Sequence, residues 1–168
     1  VKVKRKILIT VPAAVLLLAL YLVIFGFSAQ NGEQSGSVSM QLSEKCVEIL
    51  NTISGKHWEN TAVESAAMFF EHPLRKLAHF SEYACMGILI FSIVYQWVMG
   101  KKKYLIATLW VFLSAAVDEW HQSFVPGRYA SIKDVLLDTC GGICGIVLLT
   151  LIIKGRKKSR ENQPRRYR

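Results

Sequence analysis

Long apolar runs alternate with short charged breaks along this chain, and the runs are too long to be strands. Ile7 to Phe27 holds 21 residues without a charge. As a helix it rises ~30 Å, the thickness of a bilayer's hydrocarbon core. A second run follows Pro73 and continues to Met99, where Gly100-Lys101-Lys102-Lys103 stops it. Proline suits the first position of that helix, because its missing N–H costs nothing there. A third run covers Tyr104 to about Ser123, the turn Val125-Pro126-Gly127-Arg128 follows, and a fourth covers Ile132 to Ile153. The pattern predicts an all-α integral membrane protein, a single domain over residues 1–168. Its four transmembrane helices are expected at about 7–27, 74–99, 104–123 and 132–153. A cleaved signal peptide with Ala29 at its end is the rival reading of the first run. That run exceeds the usual signal-peptide core, so an uncleaved anchor is expected.

Residues 28–72 read differently. They carry Glu33, Glu44, Glu48, Glu59, Glu64 and Glu71 against Lys45 and Lys56. The stretch NGEQSGS reads as turn and linker. After it, Val38, Leu42, Cys46, Ile49, Leu50 and Ile53 recur at helical spacing and predict one amphipathic helix packed on the membrane domain or laid at its outer interface. Thr61 and Glu64 suggest a capping box for a second short helix ending near Phe69 and Phe70. The fold class is thus four membrane helices with a short amphipathic helical outer loop between the first two.

Charge orients these elements. The chain carries 21 Lys/Arg and a net charge of +9. Four crossings put both termini and the 101–103 loop on one side, and 15 of the 21 cations fall there. By the positive-inside rule that side is cytoplasmic and carries the basic tail at 154–168, while loop 28–72 and turn 124–131 fall on the other side. Each basic run abuts an apolar stretch, and no aromatic-interleaved basic patch is present, so nucleic acid is not an expected partner. The four cysteines, Cys46, Cys85, Cys140 and Cys144, include no CxxC pair, so neither a zinc site nor a disulfide framework is expected.

Three polar clusters interrupt the apolar runs. The first is LRKLAHFSEY at 74–83, where Arg75, His79 and Glu82 share a helix face, Tyr83 follows one turn past His79, and Lys76 lies beside them. The second is Asp118-Glu119-Trp120-His121-Gln122. The third is the stripe Asp134, Asp138, Gly141, Gly142 and Gly145, whose glycines let another helix approach closely. Given the expected topology, His79 lies ~9 Å below Pro73, Asp118 and Glu119 ~6–8 Å before Ser123, and Asp138 ~9 Å after Ile132. The clusters therefore share one depth, and Arg128 sits in the turn above them. Arg75, Lys76, Arg128 and Lys133 nearly balance Glu82, Asp118, Glu119, Asp134 and Asp138 in charge. Ions inside a membrane helix are costly, so by default they mark function, although a balanced network can also simply lock helices together.

The motifs RKLAHFSEY at 75–83, DEWHQSFVPGR at 118–128 and SIKDVLLDTCGG at 131–142, with FSAQN at 27–31, resemble the VanZ-like family. These are small membrane proteins associated with glycopeptide (teicoplanin) resistance. The resemblance runs from Phe27 to Gly145. It implies that Arg75, Lys76, His79, Glu82, Tyr83, Asp118, Glu119, Gln122, Arg128, Asp134 and Asp138 form the family's characteristic polar set. It also implies a cell-envelope role in the bacterial plasma membrane, without a settled reaction.

Two functions compete. In the first, an outward polar pocket binds a membrane lipid, a lipid-linked cell-wall precursor or the lipoglycopeptide antibiotic. Arg75, Lys76, Tyr83, His121, Gln122, Arg128, Asp134 and Asp138 would line it, the guanidinium forks would grip phosphate or carboxylate, and the bilayer would receive the tail. In the second, an intramembrane hydrolase or transferase acts on a lipid-linked phosphate or acyl group, with His79, Glu82, Asp118 and Glu119 as the acid–base set. No P-loop, GxSxG or HExxH motif signals a particular reaction, and no cofactor is expected. A metal on His79, Glu82, Glu119 and His121 lacks a spacing signature and is not expected. A proton path is disfavoured, because the inner halves of the second to fourth helices lack ionisable groups.

Overall fold

The computed structural model describes residues 2–55 and 57–161. It consists of five helices: α1 (Lys2–Ser28), α2 (Gly32–Ser54), α3 (Asn60–Trp97), α4 (Lys102–Gln122) and α5 (Ile132–Glu161). No strand occurs among the described residues. Residues 162–168 of the expected basic tail, and Lys56 of the acidic loop, lie outside them.

Helix α3 is the hub and packs against each of the other four. Its contact with α5 is a meeting of backbones. A Cβ added to Gly141 would strike the Phe80 carbonyl, one on Gly145 the Ala84 carbonyl, and one on Gly87 the Gly142 carbonyl. Positions 80 and 84 therefore match 141 and 145, so the two helices run parallel in a fixed register. The expected glycine stripe is the α5 side of this contact. Below it, Tyr83, Met86, Ile90, Phe91 and Val94 of α3 meet Leu17 and Ile24 of α1, Val111 and Ala115 of α4, and Ile146 of α5.

At one end of the bundle, aromatic rings gather the basic segments. Lys6 lies over the Trp97 ring at 5.1 Å. Lys103 lies over Tyr95 at 4.3 Å. Trp97 also donates to Thr10 Oγ1 at 3.0 Å. Cations and amphipathic rings together are the composition of a membrane–water boundary. All three polar clusters stand at the opposite end.

Several expectations change. Three helices, at Val3–Ser28, Asn60–Trp97 and Ile132–Glu161, are long and apolar enough to cross a membrane, and α4 is not among them. Lysines at its start and Asp118, Glu119, His121 and Gln122 at its end leave it a short apolar middle. It nevertheless lies alongside α3 and α5, burying Ala107, Val111 and Ala115.

Pro73 does not begin a helix. It lies inside α3, which starts at Asn60, so the expected short helix and the membrane helix are one rod. The Thr61–Glu64 capping box is absent as well, since Glu59 is the N-cap and makes no side-chain cap bond. An interior proline costs about 3 kcal/mol in lost bonding and ring clash. Packing of α2 along this stretch offsets that cost. Ser43 donates to the Ala67 carbonyl at 2.6 Å, and Ser39 donates to Glu71. At 1.5 Å per residue α3 is ~57 Å long, about twice the hydrocarbon thickness of a bilayer.

Of the two expected placements of α2, packing on the bundle through its apolar stripe is not what the structure has. The buried face of the helix is Ser39, Ser43 and Val47. The apolar stripe Val38, Leu42, Ile49, Leu50 and Ile53 faces outward. NGEQSGS is not a linker either. Asn31 Oδ1 accepts the Gln34 N–H at 2.8 Å and caps the helix that Gly32 begins.

Candidate functional site

The end of the bundle opposite the lysines is built by four segments converging. Ser28 ends α1, the 75–83 stretch lies on α3, Asp118 to Gln122 end α4, and Asp134 and Asp138 open α5. The 123–131 turn closes over them. Its sharpest point is Gly127, at φ +77°, in the left-handed region that glycine adopts without a Cβ clash. Gly32 N–H donates to Pro126 O at 3.1 Å there. A side chain at Gly32 would meet the Gly127 carbonyl, so both glycines are needed for the turn to dock on the start of α2.

The ion pairs span helices. Lys76 on α3 pairs with Asp134 on α5. Arg75 lies 3.5 Å from Glu71, one turn back on α3, and Glu71 in turn accepts from Ser39 of α2. Arg128 donates to the Phe27 carbonyl at 3.2 Å, holding the turn against the end of α1. Beneath them, Ser28 donates to Asp118 Oδ2 at 2.9 Å. Gln122 Nε2 donates to the same oxygen at 2.9 Å and to Ser28 Oγ at 3.1 Å. Glu119 Oε2 accepts the Ser131 N–H at 2.8 Å, which fixes the start of α5.

These contacts frame a cavity of about 330 Å³ lined by Arg75, Lys76, His79, Glu119, Gln122, Arg128, Asp134 and Asp138, with His72, Gly127, Tyr129 and Leu137. The remaining residues singled out from sequence lie elsewhere. Glu82 borders a neighbouring cavity of about 190 Å³, shared with Arg75, His79 and Arg128. Asp118 and Tyr83 are fully buried in the packing between helices. His121 turns toward α1, its ring edge-on to Phe25 with centroids 5.9 Å apart. Lys133, counted among the cations, is exposed and borders none of these cavities.

Five buried polar atoms here have no hydrogen-bond partner within the protein: His79 Nδ1, Tyr83 OH, Asp118 Oδ1, His121 Nδ1 and Asp138 Oδ1. Buried polar atoms are normally satisfied, so this density of open donors and acceptors is uncommon for a merely structural lock. Lys76 and Arg75 have carboxylate partners, whereas Arg128 is held by the Phe27 carbonyl. Burial, then the neighbouring Arg75 guanidinium, lowers Arg128 from its ordinary value, although an arginine stays charged through such shifts. No group of three or more His, Cys, Asp or Glu among the described residues is placed to hold a metal ion, so His79, Glu82, Glu119 and His121 form no ligand set.

Sequence reasoning missed Ser28, Ser39 and Glu71 as members of this network. Ser28 lay within FSAQN and carried no signal of its own, since its partner is 90 residues away.

The arrangement of charged α3, α4 and α5 ends over a glycine-packed helix pair coincides with a family match over residues 13–153, to VanZ/LLP1. The chain belongs to the VanZ/LLP1 family. All of the polar residues described above fall inside the matched span, and this VanZ-like chain is a membrane protein by its family and its three long apolar helices. No curated protein and no solved structure matches it.

Proposed function

We propose that this VanZ-like protein binds the anionic headgroup of a membrane lipid, a lipid-linked cell-wall precursor or a lipoglycopeptide at its outward end, and so contributes to teicoplanin-type resistance. In this reading α4 is a fourth crossing, and the protein sits in the bacterial plasma membrane. Both termini and the 101–103 loop are cytoplasmic in this reading, which the cations at the ring-covered end of the bundle support.

One observation carries the proposal. Arg75 and Arg128 border the 330 Å³ cavity and the adjoining cavities of about 510 and 190 Å³ alike. Two guanidinium groups at a shared junction, one paired with Glu71 and one held only by a backbone carbonyl, are suited to a phosphate or carboxylate. Each charge-assisted bond is worth about 1.5–3 kcal/mol, so losing one arginine weakens binding roughly 10- to 100-fold. The test is native mass spectrometry of the purified protein with a polyprenyl phosphate and a neutral polyprenol. Arg75→Ala and Arg128→Ala should each reduce the preference for the phosphate about 10- to 100-fold. Wild-type preference in both well-folded variants would refute the reading.

A second reading, catalysis on the same lipid, is favoured by His79. It borders the cavity and its Nδ1 has no partner in the protein. A base acting on bound substrate needs such a free nitrogen. His79→Ala should then keep lipid binding and stop turnover. Undiminished resistance at normal protein level would remove the acid–base role.

A further inference from the structure

The 190 Å³ cavity differs from its neighbours in having an apolar side. Arg75, His79, Glu82 and Arg128 border it, with Gln30, Ser35 and Ser39. So do the apolar Val38 and Leu42 of α2 and Leu74 and Ala78 of α3. All but Leu74 of these four are exposed, so the cavity opens on the flank of the molecule. Phe27, where the α1 span ends, also borders it, so the opening lies at the edge of the apolar slab.

We infer that this groove is a lateral lipid slot: a phosphate-headed lipid enters between α2 and α3, places its headgroup on Arg75 and Arg128, and lays the first segment of its chain along Val38, Leu42, Leu74 and Ala78. The inference rests on the headgroup reading above and adds where the tail goes. It accounts for the outward apolar face of α2. A helix whose buried side is serine and whose exposed side is Val38 and Leu42 has little reason to display that stripe beside two arginines unless the pair meets a molecule of matching polarity. A lipid carries that pairing of anion and hydrocarbon, and a bilayer supplies it from the side. Two cations, Arg75 and Arg128, border the slot against one carboxylate, Glu82, and Glu71 holds Arg75 while bonding to Ser39 of α2.

The test uses the full-length protein in nanodiscs of a zwitterionic lipid, with Ala78→Trp filling the slot from α3. Three ligands are titrated: a long-chain polyprenyl phosphate, a diacyl phosphatidic acid, and glycerol phosphate as a headgroup without a tail. Ala78→Trp should weaken the polyprenyl phosphate at least tenfold and leave glycerol phosphate within twofold. Equal loss of phosphatidic acid identifies the ligand as phosphate lipids in general, and its selective retention overturns the single slot. Val38→Ser and Leu42→Ser, on the exposed face of α2, cover the case in which the tryptophan variant does not fold. Each should weaken the long-chain ligand about three- to tenfold. Unchanged long-chain affinity in the folded variants removes the slot and leaves the headgroup reading intact. Unchanged affinity for every ligand in Arg75→Ala and Arg128→Ala removes both.

Discussion

The α3–α5 contact sets the register of the site, and a single methyl group tests it. In Gly145→Ala, the new Cβ meets the carbonyl oxygen, carbonyl carbon and Cα of Ala84. These are main-chain atoms of a helix and cannot rotate aside, so the two helices must part. Overpacking of this kind costs about 1–3 kcal/mol. Alanine also favours the helix over glycine by about 0.8–1.0 kcal/mol, which masks part of the cost. Gly155→Ala in the same helix separates the two, because a Cβ there meets nothing within 4 Å. Both variants gain the propensity, and only Gly145→Ala suffers the clash. Their difference should therefore be about 1–3 kcal/mol, or about 2–12 °C in Tm for a chain of this size. Differential scanning fluorimetry in one detergent measures it. The clash also spreads to the site, since Lys76–Asp134 lies in the same register above Phe80–Gly141 and Ala84–Gly145. Gly145→Ala should thus lose lipid binding as well as stability. A Gly145→Ala variant melting at or above Gly155→Ala would refute the close approach of α3 and α5.

Three further outcomes follow from the same geometry. Ser28→Ala removes one donor from the buried Asp118 Oδ2 and should lower stability by about 1–3 kcal/mol, read by thermal melting, with Ser28→Thr retaining most of it. Cys46, on half-buried α2, should react with an impermeant maleimide added to intact cells, while a cysteine at Lys102 reacts only after permeabilisation; the reverse pattern would invert the topology. Exchanging the partners in Lys76→Asp with Asp134→Lys should restore the expression that each single change reduces, because the pair joins α3 to α5 and each partner alone faces like or absent charge.

How much of this was legible depended on what kind of side chain carried the signal. The charged clusters were legible because ions within apolar runs are rare, and helical spacing then decides which of them share a face. The glycine stripe of α5 was legible for a related reason, since three glycines on one face of an apolar run serve little purpose except close approach. The α3 rod was not, because Pro73 ordinarily starts or breaks a helix, and the contacts that hold it inside one come from Ser39 and Ser43, about 30 residues and 24 residues from their partners. Those serines lie on the face of α2 that reads as polar surface, whereas its Val38–Ile53 stripe reads as a packing face. The inversion is physical. Beside a membrane, apolar side chains gain little by burying against protein rather than lipid, whereas small residues let backbones approach and hydroxyls satisfy carbonyls across helices. Rereading α2 by that rule assigns Gly32, Ser39 and Ser43 to the protein and leaves Val38, Leu42, Ile49 and Ile53 on the outside. The same rule explains why the role of Ser28 within FSAQN escaped notice: it is the small polar residue through which the end of α1 grips Asp118, and only the fold brings the two within 2.9 Å.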